Sequence, residues 1–425
     1  MAFGVQAATT GVGSSATLIN NYKKTYTDVK VAINAFTKEW NWLKQLKIED
    51  VTVSGNDIII TMDVNPGYGT AMIAEAGREA RAVTPALAIG TVSMVWANTR
   101  FQMSGHSKAL DRKGKASMTR TQMKQQILKQ AEAFGNRAAM QTYGFSTGVV
   151  CKVNTSVSMV SGTSGLVTLL QAYGDASLTA GSYIQRLIQQ GEQIAIINTT
   201  LVNHAEVTTA PTSSGVTNLT GFTTSSVVSG YTVSFANNAY GETAYTLADH
   251  TDDSKWPVGF KDATESTSVH GVSSTTFPNS AAAVANSTGG RFSLVKQSNM
   301  EIQIQNKSPY DPTDFLLADD VYRDVQDNMG AFYQFTDPGN ITFNARVKFA
   351  YKTRRSKFCP DGHAFMWAND VVSRLELTDI PGQTDEGEVD KVQDFSRYAF
   401  SKNLGYAYVW GCRTAVAEYR NLTGQ

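Results

Sequence analysis

Gly144-Phe145-Ser146-Thr147-Gly148 spells G-x-S-x-G, the spacing that lifts a serine nucleophile onto a strand-to-helix elbow. With His270 or His363 as base it would be an acyl-transfer site. The elbow needs a strand before the serine and a helix after it. Here a long helical pattern precedes Ser146 and a β-rich stretch follows, and no spacing ties either histidine to it. Cys359-Pro360-Asp361-Gly362-His363 sets two soft metal ligands close together, but a zinc site takes about four. No second pair sits at ligand spacing, and Pro-Asp-Gly is a turn sequence. Asp249, Asp252 and Asp253 lack the spacing and the glycine of a dedicated calcium loop. Gly11-x-Gly13 lacks the strand that precedes a phosphate-cradling loop. The sequence therefore assigns no catalytic, cofactor-binding or metal-binding residue.

One charged group reads differently. Glu75, Arg78, Glu79 and Arg81 mix both signs in a stretch otherwise made mostly of Gly and Ala. They sit near the tip of a long connection, Gly67–Arg81, between two strand patterns. Ile58, Ile60, Met62 and Val64 alternate with mostly polar residues, the period of a half-buried strand. Val92, Met94 and Trp96, then Phe101 and Met103, give the return. Structureless connections above roughly 12–15 residues are uncommon and usually functional. A two-stranded arm is marginal alone in water. The arm is expected to pack on a neighbouring copy of the chain, with Glu75, Arg78, Glu79 and Arg81 as intersubunit contacts and Arg suited to bidentate pairing.

The element behind the arm is a long helix, expected over Ala116–Tyr143. That span holds no Pro and one Gly, Gly135. Met123, Ile127, Ala131, Phe134 and Ala138 form one apolar stripe expected to face the subunit's own sheet, with Lys124 and Arg137 off it. Residues 22–47 carry a second helical pattern.

Lys plus Arg equals Asp plus Glu, 37 each, in a chain of 425 residues. A zero balance argues against an affinity built on neutralising phosphates, and it suits assembly at high copy number. The three cysteines, Cys151, Cys359 and Cys412, are too few and too scattered for a disulfide scaffold. No apolar run approaches the roughly 20 residues of a membrane span, and the start shows no signal pattern.

From Cys151 the composition turns rich in Ser, Thr, Val and Gly. Tyr183–Ile197, Ala205–Thr209, Val227–Phe235 and Ala244–Leu247 read as short β-rich runs between turn signals. They predict a small antiparallel barrel or sandwich inserted over 183–255. Beyond it, Phe292–Gln305 reads as a helix and Phe315-Leu316-Leu317 as a buried strand. Asp319 reads as the N-cap of a helix ended by Gly330. Strand patterns return at Ile341–Phe349, His363–Trp367 and Tyr406–Trp410.

This order of parts resembles the tailed-bacteriophage major capsid proteins of the Hong Kong 97-type head fold. Gly67–Arg81, with Ala74-Glu75-Ala76-Gly77, looks like the extended-loop tip, and Lys115–Gly144 like the spine helix with Asn136-Arg137 near its end. Val269-His270-Gly271, Phe277-Pro278 and Leu316-Leu317 resemble the return into the axial domain. Asn403-Leu404 through Leu422-Thr423-Gly424 resembles the closing strands. The resemblance implies an α+β capsid fold: N-terminal arm over 1–55, extended loop over 56–105, peripheral domain with spine helix over 106–150. The axial domain would begin over 151–182 and resume over 256–340 after the inserted β-domain, with returning strands over 341–425. It implies a virion protein, assembled in a host cytoplasm, that forms pentamers and hexamers of an icosahedral or prolate shell. Its partners would be further copies, a separate scaffold protein, a portal, decoration proteins and non-specifically held double-stranded DNA. Gly67–Arg81 contains no Lys, so the family's Lys–Asn cross-link is not expected. The competing readings are a β-rich tail, fibre or surface adhesin, which would not need the long helix, and a hydrolase at Ser146.

Overall fold

The computed structural model describes residues 47–48, 57–65, 86–104, 125, 135–158, 165–198, 202–221, 226–236, 256–286, 290–330, 351–376 and 397–422. The chain forms two compact units, one of Met1–Val51, Met94–Ala139 and Arg374–Ala407, the other of Thr52–Ser93, Met140–Ser373 and Tyr408–Gln425. The arm tip with Glu75, Arg78, Glu79 and Arg81 lies outside the described residues, as do Met123, Lys124, Ile127, Ala131, Phe134, Ala244–Leu247 and Ile341–Phe349.

The first four strands are β1 Lys47–Ile48, β2 Asp57–Asn65, β3 Ala86–Ser93 and β4 Val95–Ser104. β2 and β3 form the expected antiparallel ribbon, in register from Asp57↔Ser93 to Asp63↔Leu87 with a shift before Asn65↔Ala86. Alternation sorts its faces: Ile58, Met62 and Val92 are buried. The return strand does not continue along the ribbon. β4, which carries Trp96, Phe101 and Met103, leaves it to join a different sheet. The helix expected to end at Tyr143 is helical over 135–143, and Ala138 is buried as its stripe requires.

Eight strands follow: β5 Cys151–Val153, β6 Val157–Ser158, β7 Gly165–Leu170, β8 Gln193–Ile197, β9 Val202–Thr209, β10 Val216–Thr220, β11 Ser226–Val227 and β12 Thr232–Phe235. Six of them close a barrel in the order β10-β7-β5-β12-β8-β9, while β6 and β11 pair separately. The barrel thus begins at Cys151, in the segment expected to open the axial domain, and not at 183. Long-range closure explains the difference: β5 pairs with β12 through Val233↔Cys151, and β7 pairs with β10. Part of the expected β run over Tyr183–Ile197 is a helix, Gly181–Leu187. Its Tyr183, Ile184 and Leu187 meet on one buried face at helical spacing.

The remaining strands form a hairpin and two sheets, one in the larger unit and one drawn mostly from the smaller. β13 Ser268–Val269 and β14 Val272–Ser273 form a hairpin, and β15 Ala283–Asn286, β16 Asp314–Leu317, β17 Lys352–Arg355, β18 Ala364–Trp367, β19 Val372–Glu376, β20 Arg397–Trp410 and β21 Val416–Arg420 complete the set. One sheet runs β15-β21-β18-β16-β17, parallel at β15/β21 and β16/β17 and antiparallel between. Another runs β1-β19-β20-β4, where β20 meets β4 from Arg397↔Ser104 to Tyr406↔Val95.

Two helices close on these strands. Leu294–Lys307 starts at Ser293, whose hydroxyl accepts the Lys296 amide, and it buries Met300 and Ile304. Asp319–Gly330 carries Asp319 and Asp320 in its first turn, the end where the helix dipole favours acids. Asp319 is therefore the first helical residue instead of the residue before it. The core centres on Phe260, whose ring lies 5.0 Å from Phe365, 5.0 Å from Trp367 and 5.1 Å from Trp410. Phe260 begins a helix, Phe260–Glu265, that passes very close to other backbone: a Cβ on Gly259 would fall 2.4 Å from the Gly144 carbonyl oxygen. No helix among the described residues is long and apolar enough to cross a membrane.

Candidate functional site

The ribbon of β2 and β3 presents two unlike faces. Inward, Met62 packs with Val272, and Ile60, Ala88 and Phe277 close around them. Outward, Ile59, Leu87 and Ile89 are 70%, 64% and 72% exposed. Ile59 therefore breaks the polar-out half of the expected alternation. Three large aliphatic side chains on one face of a two-stranded ribbon form a surface whose burial would stabilise a contact.

The base of the ribbon is pinned by the β13–β14 turn. His270 holds φ 52°, a left-handed conformation that His tolerates better than bulky residues do. Its carbonyl accepts the Thr91 amide at 2.9 Å, and its Nε2 accepts the Trp410 amide at 3.3 Å. Burial pushes the His270 imidazole down to about 4, and the Arg413 guanidinium pushes the same way. Arg413 is itself anchored, its Nε donating to the Ala263 carbonyl at 2.9 Å.

A second constellation was invisible in the sequence. Lys261 is fully buried; its Nζ donates to Asp175 Oδ2 and, at 2.9 Å, to Glu265 Oε1. Arg420 approaches the same Glu265 oxygen at 3.3 Å. His363 Nε2 faces Glu418 Oε1 at 3.6 Å, with both residues buried, and Thr264 Oγ1 donates to Glu418 Oε2 at 2.6 Å. His363 Nδ1 lies 3.0 Å from the Asp361 carbonyl oxygen. Burial works against the Asp175 charge, yet Lys261 and the Ser177 hydrogen bonds hold its carboxyl down at about 2. Burial likewise opposes the Lys261 charge, and Glu418, Glu265 and Asp175 more than offset it, so its pKa rises. Burial pushes Glu418 up to about 7 against the pull of Lys261, and burial with Lys261 pushes His363 down to about 3. Asp175, Glu265 and His363 bring ligand atoms within 4.8 Å of one another. The cation held among these carboxylates is the Lys261 ammonium. Each charge taken singly reads as solvated surface; no local pattern separates Lys261 or Glu418 from their exposed counterparts.

The residues tested for chemistry fall elsewhere. The Ser146 amide donates to Asp262, and Ser146 stands between a helix and β5, the reverse of the elbow order. Cys359–His363 is the expected turn, with His363 N–H bonded to the Pro360 carbonyl at 3.1 Å. His363 is then drawn into the charge cluster through Glu418, away from any cysteine pairing.

No family model matches the chain, and no curated protein does. Solved structures do. The chain is similar to one from the cyanophage A-1(L) capsid asymmetric unit, with a TM-score of 0.52 at 12% identity, covering 92% of this chain and 94% of that one. Chains from Gordonia phage Cozz, at TM-score 0.43 and 8% identity over 90% and 86%, and from the capsid of an empty GTA particle, at 0.44 and 10% over 90% of each, are also similar. The first of these likenesses places the chain in a capsid-type α+β fold.

Proposed function

We propose that this chain is a major capsid protein that self-assembles into the pentamers and hexamers of an icosahedral or prolate phage head enclosing double-stranded DNA. The observation that carries the reading is the ribbon of β2 and β3. It buries one face against its own subunit and leaves Ile59, Leu87 and Ile89 outward. An apolar outward face on an arm is what a subunit-to-subunit contact needs, and the capsid-type fold supports the same reading. On this proposal Glu75, Arg78, Glu79 and Arg81 form intersubunit ion pairs at the arm tip. The arm belongs to a Hong Kong 97-type extended loop, and the barrel stands on the outer surface as an inserted domain. A scaffold protein, a portal and decoration proteins are the further partners, DNA is held without sequence preference, and assembly takes place in the host cytoplasm.

Electron microscopy of the purified chain tests this. Closed shells are the expected product. Deleting Tyr68–Ala80 should leave a folded subunit that makes none, and normal-sized shells from the deletion would overturn the role given to the arm.

A further inference from the structure

The His363–Glu418 contact does not balance as drawn with ordinary protonation. The Asp361 carbonyl can only accept, so His363 Nδ1 carries the imidazole hydrogen. That leaves Nε2 with a lone pair, aimed at Glu418 Oε1 at 3.6 Å. Two acceptors then face each other in the interior, and neither atom has a hydrogen-bond partner among the described residues. A buried acceptor pair of this kind is costly unless something positive lies between.

Charge counting decides what that is. Asp175, Glu265 and Glu418 bring three carboxylates, against the two cations Lys261 and Arg420. The remainder is one negative charge. One proton cancels it, whereas a divalent metal ion would leave an excess positive charge beside the Lys261 ammonium, which is unfavourable in a desolvated site. The flanking strands add nothing to this count: Ala283–Asn286 and Ala364–Trp367 contain no charged residue. The Asp361 carboxylate is paired with Arg186. Lys296, from the Leu294–Lys307 helix, lies over the Tyr419 ring, and Tyr419 points to the sheet face opposite Glu418.

We propose that His363 Nε2 and Glu418 Oε1 hold one proton between them, which brings the buried cluster around Lys261 to zero net charge at neutral pH. The proton is taken from solvent on folding between about pH 6.5 and neutrality and released to it on unfolding, with no other bond made or broken. It acts as a built-in buffer. Between about pH 4.5 and 6.5, the ordinary values of a Glu and a His, the unfolded pair also holds one proton, on the histidine. Folding then exchanges none, and mild acid leaves this part of the core undisturbed.

Glu418→Gln tests it in the full-length chain. The Gln amide N–H donates to His363 Nε2 and its carbonyl accepts from Thr264, so the folded variant keeps a neutral histidine with no proton to share. Its unfolded state still protonates that histidine. The ratio of variant to wild-type unfolding constants should therefore rise about tenfold per pH unit from 6.5 down to 4.5, reaching about a hundredfold. A pH-independent ratio would overturn the proposal. Infrared titration of the wild type gives a readout that does not depend on the variant folding. One carboxylic-acid or imidazolium band should disappear as the pH rises through neutrality in the folded protein, and a spectrum with neither refutes the shared proton. Zinc or manganese raising the Tm of the wild type but not of His363→Ala would assign the site to a metal instead.

Discussion

Thr91 donates its amide to the carbonyl of His270 at 2.9 Å, so a strand of the arm is tied to a turn in the body of the subunit by a backbone bond that only a proline at position 91 would remove. The spacing there is tight. A Cβ on Gly90 would sit 3.1 Å from the His270 carbonyl oxygen and 3.1 Å from Met62 Sδ. Gly90→Val should therefore overpack the base of the ribbon and cost on the order of 1–3 kcal/mol, measured by denaturant unfolding of the subunit. Loss of the normal wild-type value is the expected result, and an unchanged midpoint would show that the ribbon shifts freely over His270.

The His270 ring adds a pH dependence. Its folded pKa lies near 4, below the ordinary 6.5, so the unfolded state binds the extra proton between those values. The contribution of neutral His270 is present above about pH 6.5 and is lost as the pH falls toward 4. His270→Asn keeps a residue that accepts positive φ and removes the titration. The wild type should lose on the order of 2–3 kcal/mol more than the variant across that window. The His363–Glu418 pair adds no slope over pH 4.5–6.5, so the two effects separate. Parallel pH profiles for wild type and variant would contradict the assignment.

The outward face of the ribbon separates folding from assembly. Ile59 and Ile89 are highly exposed, so Ile59→Asp with Ile89→Asp should change subunit stability by no more than about 1 kcal/mol in total. The same pair should abolish shell formation by sedimentation and electron microscopy. Shells of normal yield would move the subunit contact away from this face.

What the sequence disclosed and what it hid follow one physical division. The ribbon was legible because Ile58, Ile60 and Met62 repeat at period two within a single strand. The Asp319–Gly330 helix was legible from its acidic start and its closing glycine, and the Leu294–Lys307 helix was placed two residues early, at Phe292–Gln305. The partner of β4 was not legible: β20 lies about three hundred residues further on in the chain, and no local pattern carries that register. Ile59 was hidden for a related reason, because an apolar residue turned outward looks the same in sequence as one held for the core. The charge cluster was hidden most completely. Asp175, Lys261, His363 and Glu418 stand on four separate segments and become buried only when those segments meet.

Burial also ranks the ion pairs. Lys261 is fully buried between Asp175 and Glu265, so Lys261→Met strands carboxylates in the interior and should cost on the order of 3–5 kcal/mol. The Arg186–Asp361 pair is 30% and 27% exposed, and Arg186→Met should cost about 1 kcal/mol or less. Chemical denaturation of the two variants side by side checks the order, and equal losses would mean that solvent reaches Lys261.

The barrel sets a final test, because its closure contradicts the boundary its composition suggests. Replacing 183–255 with a short linker would remove β8, β9, β10, β11 and β12 and leave β5 and β7 paired only with each other. The orphaned strands would expose unpaired backbone and the buried side chains Cys151, Val153, Val167 and Leu169. The natural cut lies where the ends meet: the Val150 amide donates to the Val233 carbonyl at 2.8 Å. A linker replacing 151–235 is therefore short and unstrained, but it is not neutral. It also removes Tyr173, whose hydroxyl donates to the Phe358 carbonyl at 3.1 Å, and Asp175, the partner of Lys261. The 183–255 excision should yield insoluble protein. The 151–235 excision should yield a folded subunit with a lower Tm. If the 183–255 excision is instead the better-behaved of the two, β5 and β7 belong with the rest of the unit and not with the barrel.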